Sequence, residues 1–222
     1  MYFQFLTEDM STEILVKHVM EKLQQKYVDK YIEYDIKSFR GIGHLPKTGS
    51  LQERKGGNLL NNLRIYLRGF DRRLAYMPQS AIVVVLDNDK HEYIDFQQTL
   101  DKVAKESVMM TDWVICIAVK EMEAWLLGDE EAIIAAYPNA KKKCLKGYTQ
   151  DSISETWEVL ANTVYPGGLA ALKKKSRNSY SETGRAKSEW ADKIGKELTL
   201  ENNVSPSFKR FLSALQDRIE VA

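Results

Sequence analysis

Two hydrophobic periods alternate along this chain, and together they predict a layered fold. Residues 2–7 alternate and then turn apolar, as a strand does. From Ser11 to about Lys26 the apolar positions Ile14, Leu15, Val19 and Leu23 recur at helical spacing. Residues 31–39 alternate again, with Tyr31, Glu33 and Asp35 set against Ile32, Tyr34 and Ile36, as in a half-buried or edge strand. Asn58 to about Ala75 predicts a helix with Leu59, Leu60, Leu63 and Leu67 on one face and Arg64, Arg68, Arg72 and Arg73 mostly on the other. Residues 81–86 (Ala-Ile-Val-Val-Val-Leu) and 113–119 (Trp-Val-Ile-Cys-Ile-Ala-Val) are nearly continuous apolar runs, typical of strands covered on both faces of a parallel sheet. Helices are expected near 94–106 and from about Glu121 to Tyr137.

This strand–helix alternation predicts an α/β fold: about four mainly parallel strands flanked by helices, with right-handed crossovers. Past Pro138 the pattern changes. Residues 139–222 carry no strand signal and read as helices near 151–163, 167–175, 183–198 and 206–219. The expected organisation is an α/β domain over 1–140 and a helical C-terminal region over 141–222, packed on it.

Composition narrows the function classes. The chain has 222 residues, 44% hydrophobic, enough for a sizeable core. Its formal net charge is +1, so it is no polyelectrolyte binder overall, and any nucleic-acid contact needs a local basic patch. Candidates are Arg40, Lys47, Arg54 and Lys55 in the glycine-rich stretch 40–57, the arginines of the second helix, and the runs Lys141-Lys142-Lys143 and Lys173-Lys174-Lys175. A charged helix face is more often simply a solvated face. Cys116 and Cys144 form neither a zinc motif nor a disulfide framework, and Cys116 reads as a small buried hydrophobe. No apolar run is long enough to span a bilayer, so the expected location is the cytoplasm, with no membrane partner. No phosphate-binding glycine loop is present.

The candidate chemistry is acidic. Asp87 and Asp89 follow strand 81–86, Glu8 and Asp9 follow the first strand, and Glu121 and Glu123 follow the last. If the strands are parallel neighbours, all three clusters meet at the edge where open α/β sheets place ligands. Asp87 and Asp89 face one ion only if the chain turns at Asn88. Convergent carboxylates repel one another, and a hard divalent cation such as Mg²⁺ or Mn²⁺ removes that cost. Each cluster also has a plainer explanation: acidic residues favour helix N-termini, and Asp87 could cap a turn or helix after the strand. His18, His44 and His91 are scattered, with His91 just after the D-x-D. Trp113, Trp125, Trp157 and Trp190 lie within elements and read mainly as packing residues.

Three segments resemble a known family. They are Phe5-Leu6-Thr7-Glu8-Asp9-Met10-Ser11-Thr12-Glu13, Val83-Val84-Val85-Leu86-Asp87-Asn88-Asp89, and the stretch 117–129 with its Glu121-Met122-Glu123-Ala124-Trp125-Leu126-Leu127 core. Ser205-Pro206-Ser207-Phe208-Lys209-Arg210-Phe211 looks like the family's closing helix. The chain resembles Toprim-like proteins of unassigned function, related to the Toprim domain of overcoming-lysogenization-defect (OLD) type nucleases and often encoded beside an ABC- or SMC-like ATPase. The resemblance implies a Toprim-like sheet and metal-dependent phosphodiester cleavage of nucleic acid. It implies Glu8 as ligand and general acid/base, Asp87 and Asp89 as metal holders, and Glu121 and Glu123 completing the shell. It also implies an ATPase partner and a role as a defence effector. Asp9 stands where such families carry glycine, and Thr12 where a second acid is usual, so the site is either altered or uses Glu13, the next residue. The rival expectation is a non-catalytic, Toprim-shaped partner of an ATPase. A homodimer is expected on general frequency alone.

Overall fold

The computed structural model describes residues 1–46, 57–151, 156–177 and 180–222. Four strands, β1 (Tyr2–Thr7), β2 (Glu33–Ser38), β3 (Ser80–Asp87) and β4 (Asp112–Ala118), form one sheet in the order β2-β1-β3-β4. Every pairing is parallel. The helices between them are α1 (Met10–Lys26), α2 (Leu59–Leu74) and α3 (Tyr93–Lys105). After the sheet come α4 (Glu123–Leu127), α5 (Glu130–Ala136), α6 (Thr156–Val164), α7 (Gly168–Ser176), α8 (Tyr180–Glu197) and α9 (Pro206–Glu220).

The two-residue period of β3 divides the core. Ala81, Val83 and Val85 join Phe3, Phe5, Cys116 and residues of α1, α8 and α9 on one face. Ile82, Val84 and Leu86 join Leu6, Ile115, Ile117 and the apolar stripes of α2 and α3 on the other. Each face is thus sealed by helices, which is why β3 reads as an unbroken apolar run. Burial holds the Cys116 thiol up at about 12, so it packs as a hydrophobe.

Chain order sets the site. β1 leads through α1 to β2 on one side, while β3 leads through α3 to β4 on the other. The sheet therefore has its topological switch between β1 and β3, and the crevice beyond their C-terminal ends is where such sheets bind ligands.

One expected element is two. The helix expected from Glu121 to Tyr137 breaks at Gly128-Asp129. A Cβ on Gly128 would lie 2.1 Å from the Asn203 side-chain oxygen, so the C-terminal segment demands glycine there. Asp129 then caps α5, accepting from the Ala132 N–H at 2.9 Å. Lys47, Arg54 and Lys55, and residues 152–155 of the helix expected near 151–163, lie outside the described residues.

Candidate functional site

The carboxylates at the switch point are positioned mainly by backbone. The Glu8 N–H donates to Val85 O at 3.1 Å, which ties the end of β1 to β3. The Asp87 N–H donates to the Glu8 carboxylate at 3.0 Å. Just beyond, the chain turns as the D-x-D requires, with Asp89 in the left-handed region at φ 47°. Asn88 holds that turn: its amide donates to His91 O at 2.7 Å, and its side-chain oxygen accepts from the Lys120 N–H. Asn88 thereby joins the ends of β3 and β4. Asp87 caps no helix; α3 begins at Tyr93, and Glu92 before it makes no side-chain cap.

Glu121 precedes α4, and its carboxylate accepts from the Thr156 hydroxyl at 2.9 Å and the Trp157 N–H at 3.1 Å. Glu123, in the first turn of α4, is only 1% exposed. Behind this loop, the Trp125 indole N–H donates to the Ser207 hydroxyl at 2.8 Å, and the Val119 N–H reaches the same oxygen. The Trp125 ring stacks on Phe211 with centroids 4.8 Å apart. The Glu-x-Glu-Ala-Trp segment and the closing helix are therefore one unit, with α9 buttressing the loop that carries Glu121.

Electrostatics mark these groups out. Burial pushes the Glu8 carboxyl up to about 8, against the Asp87 N–H and with help from Asp9 and Asp89. Burial, then Glu8 and Glu123, holds Asp87 well above the usual carboxylate range. Burial raises Glu123 too, with Lys187 opposing it. Asp89, more open to solvent, is raised by partial burial and by Glu121. One oxygen each of Asp87 (Oδ1) and Glu123 (Oε1) is buried with no hydrogen-bond partner. Six other buried side-chain atoms among the described residues share this state, Tyr137 and Gln150 among them, but these two belong to carboxyls that act on each other.

Lys187, from α8, is the residue that the periodicity of its helix hid. Its Nζ lies 3.2 Å from Glu123 and 3.9 Å from Glu121, with its side chain 19% exposed. Burial opposes its charge, but Glu123, Glu121 and Asp87 outweigh that and raise its pKa. Its Nζ also stands 5.8 Å from the centre of the Trp157 ring. One lysine thus partly neutralises a site with several carboxylates.

Two other acids have different places. Asp9, the departure from glycine, caps α1 by accepting from the Thr12 N–H at 2.8 Å and the Ser11 hydroxyl at 2.9 Å. Thr12 serves that cap with its backbone. Glu13, its side chain 16% exposed, pairs with Lys17 at 2.6 Å one turn along α1. The arginine face of α2 is partly spent as well: Arg64 pairs with Glu106 at 2.7 Å, and Arg73 hydrogen-bonds Tyr2 and Gln4.

The donor set, carboxylates without imidazole or thiol, suits a hard cation. The unpartnered oxygens of Asp87 and Glu123 fit one chemically. Among the described residues, however, no three His, Cys, Asp or Glu side chains are gathered as a ready ligand shell. No helix among them is long and apolar enough to cross a membrane.

Residues 7–216 match the model of a family described as a domain of unknown function (DUF4276), and the chain belongs to that family. No curated protein and no solved structure matches it.

Proposed function

We propose that this protein is a Toprim-like phosphodiesterase that uses Mg²⁺ or Mn²⁺ to cleave nucleic acid, and that an ABC- or SMC-like ATPase controls it as a defence effector. One observation carries the reading: at the switch point of a parallel sheet, Asp87 and Glu123 each keep a buried oxygen without a partner, beside Glu8 and Asp89. Asp87, Asp89 and Glu123 would hold the ion, with Glu8 beside them. Glu121, already accepting from Thr156 and Trp157, would contribute its remaining oxygen. When bound, the ion would polarise a phosphodiester and acidify a water.

Burial holds the metal-free Glu8 carboxyl up at about 8, and a cation beside it would draw that value down, so that Glu8 would accept a proton as a carboxylate. Lys187 supplies a fixed positive charge beside the acids, where a phosphate's negative charge would need it. The ATPase partner and the defence role rest on the family resemblance alone.

A second reading is favoured by a specific observation. Lys187 already provides a cation inside the acidic site, and among the described residues no ligand shell is preassembled. That suits a Toprim-shaped scaffold that binds an ATPase without cleaving anything.

The deciding experiment is cleavage of supercoiled DNA, single-stranded DNA and total tRNA with Mg²⁺ or Mn²⁺, with and without the neighbouring ATPase. Metal-dependent cleavage that disappears in Asp87→Asn supports the enzyme. No cleavage under any condition, with a folded protein, supports the scaffold.

A further inference from the structure

Beside the acidic site, on the same edge of the sheet, lies a cavity of about 340 Å³. Its apolar lining comes from Leu60 and Phe96, and its polar lining from His44, His91, Glu92 and Asp95. Both walls are tied by short hydrogen bonds to the strand ends that carry the carboxylates. On one side, the Gly41 N–H donates to Glu8 O at 3.0 Å, and the Leu59 and Leu60 N–H groups at the start of α2 donate back to Gly41 O and Ile42 O. The His44 N–H donates to the Asn61 side chain at 3.0 Å. Gly43, at φ +68°, allows this approach, since a Cβ there would lie 2.0 Å from the Asn61 oxygen. On the other side, the His91 N–H donates to Asn88 O at 2.7 Å, within the turn that aims Asp87 and Asp89.

The chemistry of the lining selects its ligand. The His91 imidazole stacks on Phe96, with centroids 4.5 Å apart and planes at 12°, while His91 itself stays exposed. A flat ring can therefore extend the stack on the outer face of the imidazole. Glu92 and Asp95, both exposed, accept hydrogen bonds and repel anions, so a neutral ring bearing N–H donors is favoured over a phosphate. The volume admits one heterocycle with room for its sugar at the mouth.

We propose that this cavity is a nucleobase subsite, which takes one unpaired base of the strand whose phosphate lies at Asp87 and Glu123. The subsite rests on the nucleic-acid reading and gives it a substrate class: a single-stranded or flipped-out nucleotide. Guanine binds best. It alone presents two parallel N–H donors, N1–H and the 2-amino group, to one carboxylate. Adenine and cytosine set a ring acceptor beside their amine, and uracil flanks its single N–H with two carbonyls, all of which a carboxylate repels. His44 lines the same cavity, within reach of a bound base.

The test uses nucleosides, which carry no phosphate and need no metal. The chain has three histidines, and His18 lies away on α1, paired with Asp192 at 3.0 Å. The ¹H NMR signals of the imidazole C2 protons are followed while guanosine, adenosine, cytidine and uridine are added. A stacked base shifts the His44 and His91 signals upfield and leaves that of His18 in place. Guanosine should bind roughly 5- to 100-fold more tightly than uridine, the range a good bidentate base contact supplies. The double variant Glu92→Gln/Asp95→Asn should lose that preference while retaining the stacking shift, and His91→Ala should lose the His44 shift. Saturating nucleosides that move no histidine signal, or that move all of them alike, would overturn the subsite. So would equal affinities for the four nucleosides. None of these results bears on metal-dependent cleavage, and absence of cleavage would leave the nucleoside result standing.

Discussion

Asp71 and Asp87 are two aspartates of one molecule at opposite edges of one sheet, and their surroundings treat them in opposite ways. Asp71, at the N-terminal edge, is 7% exposed and accepts from the N–H groups of Met109, Met110 and Thr111 at 2.9–3.0 Å. Burial pushes its carboxyl up, but the three N–H donors outweigh that and hold it below its ordinary range. Asp87, at the C-terminal edge, has a buried oxygen with no partner and acids for neighbours, and its carboxyl is held far above that range. The first arrangement is complete within the chain and closes the turn that leads into β4. In the second, Lys187 only partly offsets the burial and the neighbouring acids, and a divalent cation is the further partner we propose for it. Burial alone thus does not set an acid's charge state; the donors aimed at its oxygens do.

That contrast can be broken from either side. The largest effect is expected on chemistry: Asp87→Asn should lower metal-dependent cleavage by roughly 1000-fold, since it removes a charged ligand worth several kcal/mol in the transition state, as single-turnover rates would measure. Lys187→Met removes the cation inside the acidic site. Without metal it should cost about 3 kcal/mol in urea unfolding, the scale for stranding buried charge, and added Mg²⁺ should restore more stability to the variant than to wild type. Asp71→Ala strands three backbone N–H groups and should cost about 2 kcal/mol by the same measurement, with or without metal.

Per pH unit the smallest effect is a slope, and its sign differs between the two edges. Glu8 has its folded pKa raised from 4.5 to about 8, so the stability it contributes is fully present below 4.5 and is lost as pH rises through 8. Asp71 is depressed, so its contribution is present above 3.8 and is lost as pH falls through the lower folded value. Between pH 5 and 8 the metal-free protein should therefore lose stability with rising pH, by about 1.4 kcal/mol per pH unit for each proton held only by the folded state. Urea unfolding at several pH values measures this slope. Glu8→Gln should flatten it, and Asp71→Asn should leave it unchanged.

Much of the fold was legible because its strands are extreme. Residues 81–86 have no polar position, which occurs when both sheet faces are covered, and the observed β3 extends that stretch by one residue at each end. The turn at Asn88 was legible too, because Asp87 and Asp89 cannot face one point from an extended chain. What escaped depends on contacts between distant segments. Gly128 sits in an apolar helical run, and only Asn203, packed against it, shows why the helix must end there. Lys187 lies in a helix with many charged residues and reads as a solvated side chain until α8 is laid along the acidic edge. Glu13 was the natural substitute for an acid at Thr12, yet its i,i+4 spacing to Lys17 supplies a local partner. Asp9 looked like a lost glycine and is the cap of α1. The link between Trp125 and Ser207 joins two segments whose resemblance to one family was separately visible, but whose contact was not.

The central claim is that the C-terminal edge binds a divalent cation through Asp87 and its neighbours, and calorimetric titration of the metal-free protein with Mn²⁺ at pH 7.5 tests it most directly. Saturable binding that vanishes in Asp87→Asn and persists in Asp71→Asn is the predicted result. A folded wild-type protein that takes up no Mn²⁺, or that binds it equally well without the Asp87 carboxylate, would contradict the claim.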